Sequence, residues 1–484
     1  MSEGTLEKSS TGGKKTTSKV FGLTAMVLFS ISAVFTGDTI ASSAGLGVQV
    51  LTMVALLGII LLIPYGFITS ELGSAWPEEG GITVWIHEAF GSVWGTISTW
   101  LYWVNVGIWA PSVFIALIGM FKSGFGIEIP WMVELALVIG IVWLMVAVGV
   151  LPLKWSERIS SVSAIVKAGS FILVGIAGYV AAIKLGGPAN SFEFKNWIPD
   201  MQNWSLFPAL VYCFLGFELM SSVGDSIENP KRDIPRAIFI AVACIVVVYF
   251  FVLGGVLAMI PAGEIDIVSG VTDALSLAMT TLFGSAGPAV LKGITVGLMF
   301  AFFGNMVTWS VGANHSMAAS GEIGDMPKFF AHKNKKFDSP DYAFYATGVV
   351  GTVIAVLAYT VLRSSQDTFW VIVSLTAILL LIPLVMMFPA AVVLKFKYPD
   401  KPRPFETPGG KVGIIISALS CEIVCVTTLL LFFFEIPEGM PSGQFYAITI
   451  GGTVLAIFVG FLLHLWRLRQ QKDTTLPSSR QEHD

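Results

Sequence analysis

The sequence predicts an all-α polytopic membrane protein of twelve transmembrane helices. Three observations carry that prediction. Hydrophobic residues make up 55% of 484 residues against 12% charged. The apolar residues come in runs of about 20 or more, the length a helix needs to cross a hydrocarbon core of about 30 Å. Lysine and arginine crowd the loops on one side, as orientation in a membrane demands. Soluble, secreted, fibrous, disordered and nucleic-acid-binding classes are excluded by the same composition.

Gly, Pro and charged punctuation divides the chain into spans at roughly 20–44, 46–70, 93–121, 131–151, 159–183, 205–225, 237–260, 288–318, 342–362, 369–394, 412–434 and 444–466. With this division, 22 lysines and arginines fall on the side of the N-terminus, five on the other, and Lys167 within span 5. An even count and this asymmetry put both termini in the cytoplasm of a multi-pass plasma-membrane protein. The first 19 residues are polar and carry no apolar core of a removable signal. Residues 1–19 therefore form a cytoplasmic tail, 20–394 a ten-helix core, 395–411 a cytoplasmic loop, 412–466 two further helices and 467–484 a second tail. Ile82 to Phe90 and Val271 to Phe283 read as short amphipathic helices near a membrane face, suited either to gating or to covering helix ends.

Ionisable residues inside a bilayer cost at least about 2.5 to 3.5 kcal/mol, so each is a candidate for function. Asp38 in span 1, Lys167 in span 5, Glu218 in span 6 and Glu422 in span 11 qualify, and Glu422, outside the ten-helix core, is read as structural or oligomeric. Glu71, Glu134 and Asp225 sit close enough to span ends to reach water. Asp38 lies in Phe35-Thr36-Gly37-Asp38-Thr39 and Glu218 follows Gly216-Phe217, both stretches poor in helix formers. A helix broken at depth exposes N–H groups and carbonyls that bind carboxylate and ammonium groups, a common midplane site of secondary transporters. Spans 1 and 6 also open two halves of five helices each, spacing that predicts an inverted repeat. Asp38 and Glu218 are the candidate ammonium partners, with capping of kinked backbone as the alternative for Asp38. A buried Lys167 amine can replace a bound cation or exchange a proton, or pair to hold helices together. Tyr212 and Trp309 offer aromatic faces within spans 6 and 8. The four cysteines have no spacing that completes a metal site, so no metal or cofactor is expected.

At these segments the sequence resembles the amino acid/polyamine/organocation transporter superfamily, particularly its bacterial antiporters. The matching residues are Pro77-Glu78-Glu79-Gly80-Gly81-Ile82 with Trp85 and Phe90-Gly91, then Gly216-Phe217-Glu218 with Glu228-Asn229-Pro230-Lys231-Arg232-Asp233-Ile234-Pro235. Trp309-Ser310-Val311-Gly312 leading to Pro327, Phe330 and Ala331 follows, and then Tyr398-Pro399-Asp400, Arg403-Pro404-Phe405 and Pro408-Gly409-Gly410. The last group is similar to the glutamate/GABA antiporter branch, and the resemblance spans roughly residues 18 to 466.

The resemblance implies a LeuT-like fold of five plus five inverted-repeat helices with broken helices 1 and 6, two extra helices and alternating access. It implies a central substrate site between broken spans 1 and 6, for which the residue reading and the resemblance together name Ser32, Thr36, Gly37, Asp38, Gly216, Phe217, Glu218 and Trp309. It also implies gating by Tyr212 and Trp309, and proton coupling through Lys167 and Glu218, with no sodium. Span 1 departs from the family in carrying Ile31-Ser32-Ala33 where a Gly-Ser-Gly carboxylate cradle is usual. Together with the extra acid Asp38, that departure favours an organic cation as cargo. The expected function is exchange of an amino acid or amine for a related metabolic product by a monomer or homodimer. Proton-coupled amino acid symport and a non-transporting sensor are the alternatives, and no enzyme motif is present.

Overall fold

The computed structural model describes residues 19–34, 40–200, 204–266, 269–361, 365–434, 436 and 440–475. Among them, eleven helical segments are long and apolar enough to cross a membrane, and the apolar helix Leu23–Val34 is shorter. The twelve expected spans each find a helical counterpart. Span 1 is Leu23–Val34 and Ile40–Ala44, span 2 Gln49–Ala75, span 3 Ser92–Phe125, span 4 Trp131–Val150 and span 5 Leu153–Lys184. Span 6 is Phe207–Tyr212 and Phe217–Ser226, span 7 Pro230–Met259, span 8 Gly287–Ile323 and span 9 Asp341–Val361. Spans 10, 11 and 12 are Ser365–Lys397, Gly410–Phe432 and Ser442–Thr475. Both short amphipathic helices form, at Ile82–Phe90 and Gly270–Phe283.

Hydropathy places the starts of spans 5 and 7 too late. Span 5 begins at Leu153 and span 7 at Pro230, so their first turns carry Lys154 and Lys231-Arg232-Asp233 outside the apolar run. Proline at the first position presets the dihedral and wastes no N–H, which is why span 7 starts there.

Span 8 is central, packed against spans 3 and 5, while span 3 in turn packs against spans 8 and 10. The Ile82–Phe90 helix lies on spans 3 and 10, and the Gly270–Phe283 helix on spans 8 and 5. Spans 5 and 7 approach so closely that a Cβ on Gly178 would sit 2.4 Å from the Gly255 carbonyl oxygen. In a membrane such contact of small residues supplies the van der Waals packing that water would otherwise drive.

Two features fix span 2. Residues Gly58–Leu62 form a π turn, and Pro64, four residues after Ile60, has no N–H to offer that carbonyl. Ser420 Oγ donates to the Ile60 carbonyl and Cys421 Sγ to the Leu61 carbonyl at 3.7 Å, so span 11 supplies two donors to this turn. At its other end, the expectation that Glu71 reaches water is wrong. Glu71 is 1% exposed and takes Lys395 at 2.8 Å, Arg403 at 2.9 Å and the Thr407 N–H at 2.8 Å. Partners more than 300 residues away turn an apparently end-lying acid into a buried tie between span 2, span 10 and the loop after it. Asp225 is exposed as expected, and Glu134 pairs with Lys122 at 2.6 Å.

Candidate functional site

Span 6 changes course between Tyr212 and Phe217. Gly216 has φ of 122°, a value L side chains rarely adopt, and a Cβ there would lie 2.9 Å from the Trp309 ring. Glycine is thus required twice, by dihedral and by space. The interruption strands backbone groups that must find partners away from water. Tyr249 Oη donates to the Cys213 carbonyl at 2.9 Å, and the Gly216 N–H donates to Tyr65 Oη at 3.4 Å.

The turn that follows delivers Glu218, which is fully buried. Tyr65 of span 2 donates its hydroxyl to Oε2, and Tyr102 of span 3 donates to Oε1 at 2.9 Å. Charge-assisted hydrogen bonds of this kind are about twice as strong as neutral ones. They hold the carboxylate between three spans. Phe217 meets the Tyr65 ring edge to face at 5.6 Å.

The last described turn of the first helix, Leu23–Val34, supplies the opposite chemistry. There the backbone carbonyls of Ser32 and Ala33 accept hydrogen bonds from side chains of two other spans. Lys167 Nζ donates to the Ser32 carbonyl at 2.9 Å, Asn305 Nδ2 reaches the Ser32 and Ala33 carbonyls, and Trp309 Nε1 donates to Ala33 at 2.9 Å. Ser32 Oγ lies 2.8 Å from Thr308 Oγ1 and 3.2 Å from Ser163 Oγ, so its hydroxyl engages spans 5 and 8.

An aromatic wall joins these two parts. Trp309 meets Trp109 edge to face at 5.7 Å and Tyr102 at 6.3 Å, and Trp109 meets Tyr212 at 5.9 Å. The structure therefore gathers Ser32, Lys167, Tyr212, Gly216, Phe217, Glu218 and Trp309 into one buried region. Thr36, Gly37 and Asp38 lie outside the described residues. Glu422 of span 11 is half-buried and takes no part in the two tyrosine hydrogen bonds of Glu218.

Among the residues of this region that went unread in the sequence are Tyr65, Tyr102 and Asn305. Each carried a signal, namely a hydrogen-bonding side chain at mid-span depth, where interfacial belts do not reach. Asn305 also stands four residues before Trp309, on the same helix face.

Beyond the buried region, on the lysine-rich face, lies a cavity of about 510 Å³ lined by Trp76, Tyr398, Lys401 and five carboxylates: Glu78, Glu79, Glu88, Asp225 and Glu322. Glu79 at its edge pairs with His315 of span 8, and with Lys333 at 3.2 Å. Burial pushes the Glu79 carboxyl up, but the neighbouring His315 and Lys333 prevail and hold it below its ordinary range. Excess negative charge in a concave, partly desolvated space concentrates cations.

The comparisons with known proteins agree with this architecture. The amino acid permease family model matches residues 17–459. A probable agmatine/putrescine antiporter, AguD, of Lactococcus lactis subsp. lactis (strain IL1403) is 30% identical over 464 residues, covering 95% of this chain and 97% of the relative. A glutamate/gamma-aminobutyrate antiporter of the same strain is 24% identical, covering 82% of this chain and 80% of its own length. The serine/threonine exchanger SteT of Bacillus subtilis (strain 168) is 26% identical, with 73% and 77% covered. A family match along nearly the whole of an all-helical, membrane-spanning chain settles the class: the chain belongs to the amino acid permease family of the amino acid/polyamine/organocation superfamily and is a transporter, not an enzyme.

Proposed function

We propose that the chain is an antiporter that exchanges an amino acid or amine for a related metabolic product, of the agmatine/putrescine kind, across a bacterial plasma membrane. The observation that carries this reading is the buried Glu218 carboxylate, held at the interruption of span 6 by two tyrosine hydroxyls. A carboxylate so desolvated attracts an ammonium group strongly, because little water competes for either charge. Similarity to a probable agmatine/putrescine antiporter over 95% of the chain favours the same cargo class.

Transport works by alternating access of this buried region to the two faces. Spans 1–5 and 6–10 are the two halves of an inverted repeat, with both termini cytoplasmic and the core extending over residues 20–394. Packing supports the repeat: shifting every span number by five turns the contacts of the Ile82–Phe90 helix with spans 3 and 10 into those of the Gly270–Phe283 helix with spans 8 and 5. Glu218, Asp38, Thr36, Gly37, Ser32, Gly216 and Phe217 hold the substrate, Trp309 closes beneath it and Tyr212 gates.

Lys167 favours a second reading, proton-coupled amino acid uptake. Its ammonium caps the Ser32 carbonyl, and loss of a proton would turn a charge-assisted bond into a weaker neutral one and loosen the hold on the first helix.

Liposomes containing purified protein separate the two. Uptake of labelled agmatine only into vesicles preloaded with putrescine or a similar amine supports exchange. Uptake into empty vesicles under an imposed pH gradient supports symport and rejects obligatory exchange.

A further inference from the structure

Asn105 occupies the stretch of span 3 between Tyr102 and Trp109. Spacings of three and four residues place the three side chains along one side of the helix. Both flanking rings meet Trp309, and Tyr102 also binds Glu218. Asn105 is fully buried. Its Nδ2 donates to the Tyr102 carbonyl at 3.1 Å, which fixes the amide: a carbonyl only accepts, so the nitrogen must face it and Oδ1 must point away. Among the described residues, Oδ1 meets no hydrogen-bond donor. A buried acceptor left unmet in a membrane protein is costly, since lipid offers no donor in place of water.

We infer that Asn105 is a specificity-determining residue whose Oδ1 accepts a hydrogen bond from the remote ammonium of a diamine-type substrate, the other ammonium being held at Glu218. This deepens the amine-exchange reading and rests on it. Chemistry selects the ligand: Oδ1 offers lone pairs and no proton, so it rewards an N–H donor and repels a carboxylate brought to the same point. The neighbouring faces of Tyr102, Trp109 and Trp309 favour a cation further and keep water out. A monoamine of equal carbon length leaves Oδ1 unmet.

The test is calorimetric binding of putrescine and butylamine, which share four carbons and differ by one amine, to the purified full chain. Wild type, Asn105→Ala and Asn105→Asp are compared, with thermal unfolding as the check on folding. Wild type is expected to prefer putrescine. Asn105→Ala loses about tenfold in putrescine affinity with butylamine affinity held within about twofold, the effect of one hydrogen bond to a charged group. Asn105→Asp, which keeps an acceptor, restores the preference even if the alanine variant folds poorly. Equal loss for both amines, an unchanged ratio, or no rescue by aspartate overturns the assignment while leaving amine exchange standing. Wild type that binds neither amine overturns both.

Discussion

Lys167 Nζ and the Ser32 carbonyl oxygen are 2.9 Å apart, so an ammonium on span 5 closes the last described turn of the first helix. Asn305 shares the same acceptor from span 8. Removing Lys167 therefore leaves the carbonyl with one donor instead of two. Lys167→Met is expected to fold, to lower the thermal midpoint by the equivalent of about 1–3 kcal/mol and to slow exchange at least tenfold. Unfolding in detergent and exchange in liposomes check the two parts separately.

Glu218 takes one tyrosine on each oxygen. In Glu218→Gln the carboxamide keeps a single acceptor oxygen, so one tyrosine faces an amide nitrogen and the negative charge is gone. We expect at least a tenfold fall in exchange with a monodisperse protein. Tyr102→Phe and Tyr65→Phe, which each leave the carboxylate one donor, should lose less. Exchange at wild-type rates in Glu218→Gln would rule out the carboxylate as an ammonium partner.

Glu71 and Lys395 form a buried pair in which the side chains are 1% and 6% exposed. Breaking such a pair leaves an uncompensated charge and costs about 3–5 kcal/mol, whereas replacing both partners costs far less. Glu71→Gln should be clearly destabilised, and Glu71→Leu combined with Lys395→Met should recover only part of the loss, because Arg403 still loses its carboxylate. Thermal unfolding of the single and double variants decides it.

His87 bonds Asp325, which also accepts from Ser92 at 2.6 Å. That hydrogen bond raises the His87 pKa above its ordinary value against partial burial. A raised histidine contributes stability that is complete below its unfolded value of about 6.5 and disappears as pH rises through the folded value. The thermal midpoint of wild type should therefore fall more than that of His87→Gln between pH 6.5 and 9. Parallel curves would remove His87 from the account.

Spans were legible because mean hydropathy depends on short stretches of chain, and even the Ile82–Phe90 helix appears where its periodicity puts it. Glu218, Lys167 and Trp309 stood out for a similar reason: each is a local anomaly within an apolar run. What could not be read is what depends on partners remote in sequence. Glu71 looks wet until Lys395 and Arg403 are brought to it. Tyr65 and Tyr102 look like ordinary aromatics until both turn out to share one carboxylate. The charged first turn of span 7 was lost because proline and three ionisable residues mask a helix start that proline itself favours.

The π turn of span 2 ties the end of the chain to its beginning. Two of its carbonyls, those of Ile60 and Leu61, rely on Ser420 and Cys421, some 360 residues later. A shortened protein ending after span 10 would present those carbonyls to lipid. Span 2 emerges from the ribosome long before its donors do, so during synthesis it must wait for them, shielded by the insertion machinery or rewound into a regular α-helix. Register in span 2 thus draws part of its support from donors that arrive only with the eleventh span.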